Sequence, residues 1–190
     1  MTALFAANLP PEVYPFAWLA GTWRGQGSIG YGPIPPGQIT QELVFTAGQG
    51  PYLAYSARTW LLPSPTPPPD PAEPPPPGPA TSAPPAQLWH EESGFWRVIP
   101  GQDRQDPPFE IEALIADAAG FLSLYAGQAN GPRIDLGTDT MVRTASAAPV
   151  GAATRMYGLV RGELLWAWDI AGFGAEMGSY MAARLKRAAP

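Results

Sequence analysis

Apolar and polar residues alternate with a period of two along most of this chain. From Trp23 the odd positions Trp23, Gly25, Gly27, Ile29 and Tyr31 are apolar or small, and the even positions Thr22, Arg24, Gln26 and Ser28 are polar. Successive side chains of an extended strand point to opposite faces, so this string predicts a strand with one face inward. Ile39, Leu43 and Phe45 hold one register in QITQELVF. Further extended segments follow: YLAYSARTWLL, LWHEESGFWRVI, FEIEALIA, FLSLYAGQ, RIDLG, ATRMYGLV, ELLWAWDIA and GSYMAARLKR. No long stretch carries the 3.6-residue apolar period of a helix. A single helical turn is expected over Pro11 to Leu19, plugging one end of the sheet structure.

Turn chemistry separates the segments. Asp117 to Gly120 divides two runs, Asn130-Gly131 is a tight-turn pair, and Arg161-Gly162 joins two runs so closely that a hairpin is predicted. Sequential hairpins make an antiparallel up-and-down sheet. About ten such strands close on themselves rather than leave unpaired edges. The predicted fold is all-β: a closed antiparallel up-and-down β-barrel of about ten strands, lipocalin-like, with room inside for a small ligand. The 190 residues suit one domain, 1–190. Pro63 to Pro85 stands apart. Proline has no N–H to donate to a sheet, so this proline-rich stretch is expected to be a disordered or polyproline II loop inserted between two strands. It reads as a tolerated insertion rather than a docking segment, because long loops cost little.

Composition narrows the chemistry. The net charge is −5, and Lys and Arg are scattered apart from Arg184, Lys186 and Arg187, so nucleic acid is not an expected partner. No apolar run approaches the ~20 residues of a membrane helix, and no membrane association is expected. Cysteine is absent, which excludes disulfides, thiolate metal sites and a cysteine nucleophile. Together with an N-terminal stretch that lacks the basic start of a signal, this predicts a cytoplasmic protein. His90 is the single histidine, so multi-histidine metal sites are excluded.

Register separates candidate chemistry from solvated surface. Glu110 and Glu112 share a face opposite the apolar Phe109, Ile111 and Ala113, and are placed on the solvated outside. Asp135, Asp139 and Asp169 have no partner visible in the sequence. Ser123, Ser146 and Ser179 sit in no nucleophile-elbow pattern. Trp166 and Trp168 share one strand face and suit core packing, or the wall of a flat apolar pocket.

GTWRGQG, Gly21 to Gly27, is the most specific string. Its Gly-X-Trp-X-Gly-X-Gly pattern resembles that of the nitrobindin family. LWHEESGFWR resembles the family's His-X-Glu-X-Gly-aromatic-aromatic-Arg segment, RMYGLVRGELLWAWDIA its penultimate hairpin, and MAARLKR its closing strand. The likeness runs from about Phe16 to Arg187, apart from the proline-rich insertion. It implies a ten-stranded barrel with a ferric b-type heme near its mouth, nitric oxide binding, and isomerisation of peroxynitrite to nitrate at the iron. It also implies an axial histidine just before the closing strand and a glycine-tryptophan motif close to the heme. Gly21, Trp23, Gly25 and Gly27 are therefore candidate ligand-binding residues.

Two positions depart from that pattern. The axial position holds Tyr180, a phenol that must lose a proton before it binds iron, with a reference pKa of ~10. Tyrosinate does ligate ferric heme in catalase, and a nearby cation such as Arg184 would favour it. Alternation puts Met181, Ala183 and Leu185 on an apolar face and Tyr180, Arg184 and Lys186 outward, unless a bulge intervenes at Tyr180. Second, Pro33 stands where the family carries a threonine, and offers neither hydroxyl nor N–H. His90 aligns with a different family histidine from the axial one, and is read as a pocket-lining imidazole paired with a carboxylate such as Glu92. Trp23 is read as closing the core beneath a guanidinium from Arg184 or Arg187. The expectation is a nitrobindin-like barrel that has lost heme binding, with no cofactor and no catalytic or metal residues, and with a small apolar ligand as partner. The alternative is a heme b protein, liganded by Tyr180 or His90, acting as a peroxynitrite isomerase.

Overall fold

A computed structural model describes residues 9–48, 50–63, 86–101 and 106–189. The proline-rich insertion lies outside the described residues except for Pro63. Ten strands are described: β1 (Gly21–Tyr31), β2 (Ile34–Ala47), β3 (Tyr52–Leu61), β4 (Gln87–Val98), β5 (Phe109–Asp117), β6 (Phe121–Asn130), β7 (Arg133–Arg143), β8 (Val150–Val160), β9 (Glu163–Gly172) and β10 (Gly178–Arg187). Each pairs antiparallel with its neighbours in sequence, and β1 pairs with β10 to close the barrel. The period-two pattern is realised in burial: in β9, Leu164, Trp166, Trp168 and Ile170 are buried and their neighbours only partly so. The predicted hairpin at Arg161-Gly162 exists, with both residues at positive φ (53° and 82°), the tight-turn geometry that matches strand twist.

One end of the barrel is closed by the 3-10 helix Pro11–Leu19, which buries Val13, Phe16, Ala17 and Leu19. Trp23 is fully buried beneath it, and its Nε1 donates to the Leu19 carbonyl at 2.7 Å. The Arg187 guanidinium lies 4.2 Å from the Trp23 ring centroid and donates from Nη2 to the Trp18 carbonyl at 2.8 Å and from Nη1 to that of Ala20. Arg184, the other candidate for that stack, is exposed and reaches Glu163 at 3.6 Å. Gly25 and Gly27 serve close strand approach: a Cβ there would fall 2.2 Å from the Arg184 carbonyl oxygen and 2.1 Å from that of Ala182.

The opposite end is irregular. The register shifts by one residue at Pro35-Pro36 in β2, at Trp89 in β4, at Asp139 in β7, at Gly151 in β8 and at Tyr180 in β10. Such bulges bend a strand and re-aim side chains, and they gather at barrel rims. The seam between β7 and β8 is also short. It pairs from Arg133↔Gly158 to Gly137↔Thr154, and the strands then part, with the Ala153 N–H donating to Thr138 Oγ1 at 3.0 Å.

Candidate functional site

Below the irregular rim lies a cavity of about 110 Å³. Its wall includes His90, Glu92, Asp117, Ser123, Arg155, Trp168 and Tyr180. Alternation along β4 aims His90 and Glu92 inward, and along β8 it aims Ala153, Arg155 and Tyr157 inward. Arg155 meets Glu92 in a bidentate pair, with Nη1 to Oε1 at 2.6 Å and Nη2 to Oε2 at 2.7 Å. Tyr55 Oη donates to the same Oε1 at 2.6 Å, and His90 Nε2 lies 3.2 Å from Oε2. The other imidazole nitrogen, Nδ1, lies 3.5 Å from Asp117 Oδ2. The Arg155 guanidinium also stacks on Trp168 at 4.2 Å and on Tyr125 at 4.9 Å.

The electrostatics follow from this packing. Burial opposes a charge on Glu92, yet the Arg155 guanidinium and its hydrogen bonds outweigh it, and the carboxyl is held far below its ordinary range. Burial likewise opposes a charged His90. The hydrogen bond and charge of Glu92, with the charge of Asp117, override it and raise the imidazole above its ordinary 6.5. Burial raises Asp117. With His90 protonated, two carboxylates face two cations and the cluster is neutral. His90, Glu92 and Asp117 are of metal-ligating type and lie together, but the guanidinium on both Glu92 oxygens stands where a cation would sit.

Tyr180 faces inward. It is the extra residue of the β10 bulge, so Tyr180 and Met181 are both buried and simple alternation fails at this point. Trp89 is the extra residue of the β4 bulge, and its indole Nε1 donates to Tyr180 Oη at 2.9 Å. Tyr180 packs edge-on against Trp168, with ring centroids 5.0 Å apart. Burial raises the phenol's pKa, the Trp89 hydrogen bond lowers it, and the charges of Asp117 and Glu92 raise it further. Pro33 is exposed in the β1–β2 turn, and the next residue, Ile34, lines the cavity.

Residues 12–187 match the profile of the THAP4-like, heme-binding beta-barrel domain. A ferric nitrobindin-like protein of Beutenbergia cavernae is 42% identical, with all of both chains covered. The chain belongs to the nitrobindin family. A protein of Leifsonia xyli subsp. xyli named peroxynitrite isomerase is 36% identical over 95% of this chain and 96% of its own. The crystal structure of Rv2717c from M. tuberculosis shares the fold at a TM-score of 0.72 and 23% identity, covering 96% of this chain and all of that one.

Within this nitrobindin barrel, His90 and Tyr180 meet at the cavity. Gly21, Trp23, Gly25 and Gly27 are not among its lining residues; Gly21 and Trp23 sit at the closed end, and Gly25 and Gly27 midway along β1. Trp168 is a wall of the cavity, whereas Trp166 is in the core, donating from Nε1 to Gln41 Oε1 at 2.6 Å. Glu112 is on the outer face, paired with Arg97, and Glu110 is exposed. Asp135 has a partner after all: Arg133, two residues away on the same face, binds it through two hydrogen bonds of 2.7 Å. Arg155 and Asp117 escaped the residue-by-residue reading. The signal for Arg155 was a charged residue in the inward register of ATRMYGLV, between Ala153 and Tyr157.

Proposed function

We propose that this nitrobindin barrel does not hold heme and is not a peroxynitrite isomerase, and that its mouth cavity takes a small, mainly apolar molecule. The observation that carries the reading is Tyr180. An iron donor there must be a phenolate, but burial and two nearby carboxylates favour the neutral phenol. Among the described residues no cation offsets this: Arg184 points to solvent and to Glu163, and Arg155 is committed to Glu92. His90 has both ring nitrogens turned to carboxylates, so neither is free to bind a metal.

Space argues the same way. The cavity of about 110 Å³ is well below the ~300 Å³ at which sites for drug-sized ligands begin, and a porphyrin is larger than that class. The residues present do not fit the group. The competing reading rests on relatives named peroxynitrite isomerase and requires Tyr180 or His90 to ligate iron. Titration of the purified chain with hemin separates the two. Only unsaturable, nonspecific absorbance is expected. A Soret band that saturates at one hemin per chain and disappears in Tyr180→Phe or in His90→Ala would overturn the proposal.

A further inference from the structure

Two hydroxyls on the cavity wall have unused hydrogen-bonding capacity. Tyr180 Oη accepts from Trp89 Nε1, and its own O–H proton has no acceptor among the described residues. The indole fixes which side of the oxygen is occupied, so the proton is left for something else. Ser123 is buried in β6 and faces inward. Its Oγ makes no side-chain hydrogen bond among the described residues, yet it is not among the sealed-off polar atoms, which are Trp18 Nε1, Trp96 Nε1, Arg155 Nε, Tyr157 Oη and Trp168 Nε1. It is therefore accessible, and Ser123 is part of the cavity wall.

We infer that the cavity receives a small neutral molecule with a single hydrogen-bond acceptor, such as a carbonyl, which Tyr180 and Ser123 engage by donation. This rests on the small-ligand reading above and adds the ligand's chemistry. Neutrality follows from the floor of the cavity. Glu92, Asp117, His90 and Arg155 already pair with one another, so an incoming ion would lose its hydration without gaining a counter-charge. The remaining wall, with Ile34, Ile115, Phe121, Ile170 and Phe173, suits a hydrocarbon body. Size follows from volume. A ~150 Å³ apolar cavity takes benzene, so about 110 Å³ takes a body of roughly five heavy atoms.

Cyclobutanone and methylenecyclobutane test this, because they match in shape and differ in the acceptor. Binding is read from NMR shifts of the Ile115 and Ile170 methyls and the Trp168 indole. Cyclobutanone is expected to bind about three- to ten-fold more tightly, the worth of one hydrogen bond. That preference should shrink in Tyr180→Phe and in Ser123→Ala, and vanish when both are replaced. Equal affinity of the two probes for the wild-type chain overturns the donor inference and leaves the small-ligand reading standing. Binding of neither probe overturns both.

Discussion

The two ends of the barrel are built from the same strands and obey different rules. At the closed end β1, β2 and β10 keep strict register, a helix covers the opening, and neutral groups and a rim guanidinium meet backbone carbonyls: Trp23 donates to one and Arg187 to two. At the mouth five strands carry an extra residue, and a cluster of buried groups is ionised. Tyr31 ties the turns there together, accepting from the Gly172 N–H at 3.2 Å and donating to the Glu176 carbonyl at 2.7 Å. The difference teaches how one continuous sheet separates stability from recognition. Regular pairing holds one rim, and bulges at the other turn side chains inward that alternation would send out.

The largest expected break in that contrast comes from the mouth. Arg155→Ala leaves the Glu92 carboxylate buried without its counter-charge and should cost about 3–5 kcal/mol in denaturant unfolding. At the closed end Gly27→Ala forces β1 away from β10 and should cost about 1–3 kcal/mol. Arg187→Ala removes a stacked guanidinium and should cost about 1–2 kcal/mol, while Arg184→Ala should stay within about 0.5 kcal/mol. Equal effects of those two arginine variants would show that the stack on Trp23 contributes nothing special. Tyr180→Phe removes the Trp89 hydrogen bond and should cost about 0.5–1.5 kcal/mol.

Proton linkage sharpens the comparison, because the ionised groups cluster at the mouth. Glu92 is lowered on folding, so its contribution is present above its ordinary 4.5 and is lost as pH falls toward its folded value. His90 is raised, so its contribution is full below 6.5 and is lost as pH rises through the raised value. Asp117, raised by burial, subtracts as pH climbs past 3.8. Unfolding midpoints across pH should therefore decline on both sides of a weakly acidic maximum. In His90→Gln the alkaline decline should flatten.

Most of the barrel was legible because a half-buried strand writes its geometry as period two. The tight turns were equally plain at Asn130-Gly131 and Arg161-Gly162. Alternation also held the answer to which arginine covers Trp23: Arg187 shares the inward register of Met181, Ala183 and Leu185, and Arg184 does not. The mouth was less legible. Tyr180 turns inward only because β10 gains a residue there, and a bulge has no sequence signature of its own at Ser179-Tyr180-Met181. Arg155 was hidden for a different reason. Its partner Glu92 is 63 residues away, and only closure of the sheet brings the two together.

The short seam between β7 and β8 gives the wall a mechanical weak point. Five residue pairs bind these strands, against ten between β8 and β9. The parted stretch borders Met141, Ala148 and Val150, all of which line the cavity. Thermal opening should concentrate there, as a slit widening along the side of the barrel while the rest of the hoop stays shut. A molecule could then enter through the flank without passing the Tyr180–Trp89 bridge, and deuterium should reach the amides of 139–143 and 150–152 before those of β9.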